Sequence, residues 1–403
     1  MPWEVMDVVD ERTRFVLEYD SGSFTMSELC RIYGIARKTG YLWAGRYEVE
    51  GLAGLQDRRY GAGHHPNQTD GEIEKQIVQL KQVRPSWGAK KLRAYLLAKK
   101  KAVKWPVVST FGEILRREGL STPQRKRLRT PLYTKPFEKV ESANQIWCAD
   151  FKGWFRTGTG ERIDPLTITD AHSRYLLRCQ SVEKTNTEQV QAIFAAAFRE
   201  YGMPQRIRTD NGAPFASRAI AGISRLSVCW MKLGIAPERI KPGHPEQNGR
   251  HERMHRTLKA ETAKPPAANR RAQQKAFDRF RQQFNEERPH EALQLKTPAS
   301  CYQSSPRIYP DRIAEPEYDS NLKPKRVYPD GTFFWKGTQI FISKSLGGES
   351  IGMEPIDDRY WEVQFATFPL ARFDSHKLVL QPMPAIDGVN SCANAGAMER
   401  EEK

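Results

Sequence analysis

The sequence predicts a multidomain protein with all-α helix-turn-helix modules first, a central α/β core next, and a small β barrel near the carboxyl end. Three observations carry this. Helical apolar spacing with cap and turn signals fills roughly the first 120 residues. After Pro136 the pattern changes to short apolar runs broken by one amphipathic helix, and from about residue 315 short strands alternate with Gly and Pro turns. At 403 residues the chain exceeds one ordinary core, and 39% hydrophobic residues with nine Trp and eighteen Phe exclude a wholly disordered chain.

Residues 10–20 predict a first helix, and SFTMSELCRIYGIARKTGYLWAGRYEVEG predicts two more joined by a tight turn. Ser27 is expected to cap the helix that carries Glu28, Leu29 and Ile32; Gly34 ends it, and residues 37–46 form the next. Arg37, Lys38, Thr39 and Tyr41 then fall near the start of a helix suited to the DNA major groove. After the loop DRRYGAGHHPNQT, the segment GEIEKQIVQLKQVRPSWGAKKLRAYLLAKK predicts two helices parted near Pro85, with a third at 109–120 capped by Ser109. A paired helical reader of an extended DNA site is the expectation, against one reader and a spacer.

Charge supports a polyanion as partner. Lys and Arg exceed Asp and Glu by 16; residues 1–80 carry a net −4 and residues 81–140 a net +14. The basic stretch includes Lys90 and Lys91 and the run QRKRLRT, with Arg125, Lys126 and Arg127, and is read as an arm that follows the DNA backbone. The six cysteines are scattered with no CxxC pair, which excludes a zinc knuckle and fits reduced thiols. No run approaches ~20 consecutive apolar residues, and the acidic start MPWEVMDVVDERTR lacks the pattern of a signal peptide. A cytoplasmic, nucleoid-associated protein with no membrane partner is expected.

In the central part, IWCADFKGWF places Asp150 in one short apolar run, and PLTITDAHSRYLLRCQSV supplies two more joined around residues 170–174. Residues 188–201 predict an amphipathic helix, and RIRTD a strand ending at Asp210. Asn211 and Gly212 turn the chain there, so this carboxylate sits at a strand end, where α/β folds place chemistry. Acids from different strands can hold divalent metals. In GHPEQNGRHERMHRTLKAE, Glu252, Arg256 and Lys259 stand at i, i+4 and i+7, so one helix face carries a carboxylate followed by two cations. That face suits metal and phosphate together.

The ordered segments TMSELCRIYGIARKTGYLW, NQIWCADFKGWF, LTITDAHSRYLL, RTDNGAPFAS, PGHPEQNGRHERMHRTLKAE and FNEERPHEALQLKTPASCY make the chain resemble the transposase and retroviral integrase group, most closely IS481-like insertion-sequence transposases. The resemblance implies an RNase H-like core in which Asp150, Asp210 and Glu252 are the catalytic carboxylates and metal ligands for Mg²⁺, or Mn²⁺ in its place. Glu246 follows Asp210 after 35 residues, the integrase spacing, whereas 41 residues precede Glu252. Glu252 is preferred because the family glutamate follows the Gly by a few residues and begins the basic helix; the added residues are expected as loop around SRAIAGISRLS.

The organisation expected is therefore 1–60 helix-turn-helix domain, 68–122 second helical module, 123–140 basic linker, 141–304 catalytic core with closing helices, 315–385 β barrel and 386–403 disordered tail. The resemblance implies binding of terminal inverted repeats, cleavage of element ends and strand transfer into target DNA by a homodimer or higher oligomer. The rival expectations are a nuclease of the same core without strand transfer, and a catalytically silent DNA-binding regulator.

Overall fold

The computed structural model describes residues 8–57, 68–121, 140–217, 222–240 and 249–383. The chain divides into two compact units, Met1–Asp70 and Gly71–Lys403.

In the first unit, α1 (Val8–Asp20), α2 (Met26–Ile32) and α3 (Arg37–Glu50) enclose a core of Phe15, Val16, Met26, Leu29, Cys30 and Leu55. The cap of α2 is Thr25 rather than Ser27. Its side chain accepts from the Glu28 backbone N–H while the Glu28 carboxylate accepts from the Thr25 N–H, a reciprocal box that needs the acid three residues on. Gly40 lets α3 press against α2, since a Cβ there would lie 2.6 Å from the Cys30 sulfur and 2.7 Å from that of Met26. A side chain at this position would push the third helix off the second.

The second unit begins with α4 (Gly71–Val83), α5 (Ala89–Lys99) and α6 (Val108–Arg117), packed around Ile77, Trp87, Leu92, Trp105 and Phe111. The expected Ser109 cap is corrected: the cap residue of α6 is Val107, two residues earlier, and its side chain makes no cap hydrogen bond.

The central sheet follows from the apolar runs. β1 (Ile146–Phe151) pairs antiparallel with β3 (Arg162–Asp170), and β3 pairs antiparallel with β4 (Leu176–Val182). The short β2 (Phe155–Arg156) joins the start of β3. α7 (Thr187–Tyr201), capped by Asn186, carries the chain across to β5 (Arg206–Thr209), which lies parallel to β1. α8 (Arg225–Lys232) leads to β6 (Ala236–Arg239), parallel to β5. Thus part of the stretch expected as loop is helix, because Ser224 and Ser227 form a capping box. The resulting order β4-β3-β1-β5-β6, three antiparallel strands and then two parallel ones, is the RNase H-like sheet expected. Val190, Phe194, Ala197 and Phe198 of α7 and Trp230 of α8 bury against Trp147, Ile168 and Ile207. On the second core cluster, α9 (Gly249–Thr262) and α10 (Arg270–Gln282) pack Met254, Leu258, Phe277 and Phe280 against Ile163, Leu176 and Cys179.

The carboxyl-terminal barrel is a correction. The strands β7 (Lys323–Arg326), β10 (Ser350–Pro355), β11 (Tyr360–Phe365), β12 (Phe368–Asp374) and β13 (Val379–Pro382) form an open sheet, β13-β12-β11-β10-β7. A separate hairpin pairs β8 (Thr332–Trp335) with β9 (Thr338–Phe341). The outer strand KPKR explains the lack of closure: Pro324 has no N–H to give a further strand, and lysines on an edge oppose pairing. Closure is also unnecessary for burial, because the hairpin residues Phe333, Trp335 and Ile340 cover Ile351, Met353, Val363 and Phe373, with Val228 and Met231 of α8 joining the same core. The expected disordered tail and basic linker fall outside the described residues, apart from Val140 at the linker's end.

Candidate active site and nucleic-acid interface

Asp150 and Asp210 each follow a residue of one register pair: Ala149 is the partner of Thr209 in the parallel β1–β5 pair, so Asp150 lies within β1 and Asp210 immediately past the end of β5. Gly212 N–H donates to Asp210 Oδ1 at 3.2 Å; burial raises this carboxyl above the usual range, and that hydrogen bond opposes the rise. Glu252 comes from α9, whose two faces divide cleanly. His251, Met254, His255, Leu258 and Thr262 are buried, whereas Glu252, Arg256 and Lys259 are exposed.

The exposed face opens into a cavity of about 490 Å³ lined by Asp150, Lys152, Glu252, His255, Arg256 and Lys259 among others. Two of the three expected carboxylates therefore share one cavity with cations suited to phosphate. Asp210 does not line it, and among the described residues no group of three or more His, Cys, Asp or Glu is placed to hold a metal ion. The donor chemistry of the Asp150 and Glu252 pair, two carboxylates with no thiolate, fits a hard divalent cation. Glu246 lies outside the described residues.

Beneath this cavity is a cluster that the sequence reading missed. Thr167 stands directly opposite Asp150 in the β1–β3 register and donates its hydroxyl proton to the Asp150 carbonyl at 3.1 Å. The same oxygen lies 2.6 Å from His251 Nε2 and 2.7 Å from His255 Nε2. With its hydroxyl proton given to the carbonyl, the Thr167 oxygen can accept from both imidazoles through Nε2–H. His251 Nδ1 meets Thr169 Oγ1 at 3.3 Å, while His255 Nδ1 faces Asp150 Oδ2 at 3.9 Å. Burial pushes His251 down to about 3; burial, then His251 and Lys152, push His255 down to about 2. The helix bearing Glu252 is thus tied to the strand bearing Asp150 by two neutral histidines. Their i, i+4 spacing on the face shared with Met254 and Leu258 was the signal available in the sequence.

A polar seam joins α4 and α5 to the core. Arg84 pairs with Glu287 and donates to Gln283 at 2.9 Å, and Ser86 donates to Glu261, which also accepts from Arg288 at 3.0 Å. Lys91, expected on DNA, is half-buried at this seam; burial and then Arg288 lower it to about 8. Lys90 is exposed, 4.0 Å from Glu291. In the first unit Arg37, Lys38 and Tyr41 are exposed at the start of α3 and Thr39 is half-buried, whereas Arg125, Lys126 and Arg127 lie outside the described residues.

His290 packs on Phe284 with centroids 4.7 Å apart, and its Nε2 is buried with no hydrogen-bond partner among the described residues. Burial, then Arg288 and Lys91, push it down to about 3. The unfolded chain, with a ring near ~6.5, binds a proton that the folded protein refuses, so stability is lost as pH falls below about 6.5 and the loss is complete near 3. Urea midpoints should therefore fall between about pH 7.5 and about pH 5, and fall less in His290→Gln. Equal falls in both proteins would remove His290 as a source.

Residues 140–245 and 233–298 match the integrase core domain family, residues 11–63 a helix-turn-helix domain, and residues 39–115 a homeodomain-like domain. Residues 140–298 form an integrase core. Helix-turn-helix DNA-binding domains precede it. The chain is 25% identical over 193 residues to an uncharacterized 31.7 kDa protein of insertion element IS407 from Burkholderia multivorans, which covers 46% of this chain and 65% of that one. It is also 25% identical over 258 residues to an uncharacterized 39.2 kDa protein of insertion element IS476 from Xanthomonas euvesicatoria, covering 62% and 69%. The integrase catalytic core domain of HTLV-2 in complex with magnesium aligns at 17% identity and TM-score 0.32, over 40% of this chain and 97% of that one. A simian T-cell lymphotropic virus intasome chain aligns at 16% and 0.35, over 73% and 98%. Among the described residues no helix is long and apolar enough to cross a membrane.

Proposed function

We propose that this protein is a transposase of the IS481-like insertion-sequence group, which binds terminal inverted repeats, cleaves element ends and transfers them into target DNA. The observation that carries the reading is the cavity in which Asp150 and Glu252 meet Lys152, Arg256 and Lys259 on an integrase core. Asp150 and Glu252 would hold Mg²⁺ or Mn²⁺, with Asp210 as third carboxylate from the neighbouring strand end. A bound divalent ion supplies charge stabilisation to the entering and leaving oxygens of phosphodiester exchange.

The chain's own residues do the rest. Arg256, Lys259 and Lys152 neutralise and orient the phosphate of the scissile strand. Thr167, His251 and His255 fix the Asp150 strand against the Glu252 helix, so the two carboxylates keep their spacing. The exposed Arg37, Lys38 and Tyr41 read the repeats in the major groove, and the basic arm with Arg125, Lys126 and Arg127 adds sequence-independent attraction. Two DNA ends must be brought together, so at least a dimer acts on DNA.

The test is a comparison of two glutamates. Glu252→Gln should abolish Mn²⁺-dependent cleavage of a repeat-bearing duplex, whereas Glu246→Gln should be milder, because only Glu252 begins the basic face of α9. A severe loss at Glu246 with near-normal activity at Glu252 would reverse the assignment.

A further inference from the structure

Beside the carboxylate cavity lies a second cavity of about 240 Å³, lined by Lys152, Trp154, Phe155, Pro165, Leu258 and Lys259 among others. Lys152 and Lys259 border both cavities. The second therefore continues the path of any phosphate chain held in the first, but its character is different. It has two aromatic rings, a proline and a leucine, and the only charged side chains among its lining residues are the two shared lysines.

Trp154 is the unusual residue here. It sits in the loop between β1 and β2 with 55% of its surface exposed, beside a half-buried Phe155 that packs on the core. The Arg162 guanidinium lies 4.9 Å from its ring centroid, which gives the indole a cationic neighbour as well as an apolar one. A large ring left open to solvent contributes little to folding, and an indole flanked by lysines and an arginine suits a flat, electron-rich ligand on a phosphate backbone. The volume is below the roughly 300 Å³ of sites for drug-sized molecules, and so has room for one ring system rather than a base pair.

We propose that this cavity receives one unpaired nucleobase of the DNA strand engaged at the carboxylates, stacked on Trp154, with Lys152 and Lys259 holding the phosphates that link the two cavities. The proposal rests on the reading of the first cavity as the cutting site. It adds the state of the substrate: the duplex is opened next to the scissile phosphate, and the cost of unstacking a base is offset at Trp154.

The experiment uses the full chain and two probes, a blunt duplex and the same duplex with a short single-stranded tail of iododeoxyuridine. Irradiation should cross-link the tail to the peptide holding Trp154. Trp154→Ala should weaken the tailed duplex by about tenfold, as loss of one stacked base does, while leaving the blunt duplex within about twofold. Trp154→Phe should keep most of the preference for the tail. Equal binding of the tailed duplex by wild type and Trp154→Ala, or cross-links that map away from both residues 152–165 and 258–263, would overturn the proposal. So would a change of oligomeric state in Trp154→Ala with tail binding intact, which would make the surface a contact between copies. Binding is read without cleavage, so active Asp150→Asn would sink the catalytic reading while the tail result stood or fell on its own.

Discussion

On the proposed function, Asp150→Asn is expected to reduce end cleavage and strand transfer by roughly three orders of magnitude or more, since loss of the proposed metal ligand would remove several kcal/mol of transition-state stabilisation. Binding to a repeat-bearing duplex should stay near wild type, because the helix-turn-helix residues belong to a separate compact unit. The substitution keeps the size of the side chain and leaves the backbone carbonyl that Thr167 uses. A gel assay of cleavage and a binding titration on the same duplex check both halves. Retained metal-dependent strand transfer would remove Asp150 from the site.

Thr167→Val is expected to have the largest effect on stability among polar substitutions near the cavity. The side chain is fully buried and its oxygen serves two imidazoles and one carbonyl. Valine has the same shape with no acceptor, so two buried N–H groups lose their partner, at about 1–3 kcal/mol each. A total loss of about 2–5 kcal/mol is expected in urea unfolding. Thr167→Ser, which keeps the hydroxyl, should lose much less. Cleavage by the folded Val variant should also fall, about tenfold, as α9 loses its tie to β1. A Val variant as stable and active as wild type would show that the cluster positions nothing.

Much of the fold was legible because its signals are local. The alternating run PLTITD, the amphipathic α7 and the Asn-Gly turn after Asp210 are each written within a few residues, and the strands and helices formed where those patterns stand. The face of Glu252, Arg256 and Lys259 was readable for the same reason. What was hidden depends on distant partners. Nothing near KPKR shows whether a sheet closes on itself, and the answer came from a hairpin and from α8 filling the space a barrel would enclose. The buried histidines were read past because their partner, Thr167, is more than 80 residues away and faces them only through the β1–β3 register. Lys91 looked like any cation in a basic stretch, since the seam it enters is built from residues near 261 and 288.

The most direct test of strand transfer supplies the full chain with a duplex copy of the DNA flanking its coding region, supercoiled plasmid and Mn²⁺. Products joining the element's 3′ end covalently to plasmid are expected, and both Asp150→Asn and Glu252→Gln should abolish them. Nicked or cut DNA with no joined product would contradict the account and leave a nuclease on an integrase core.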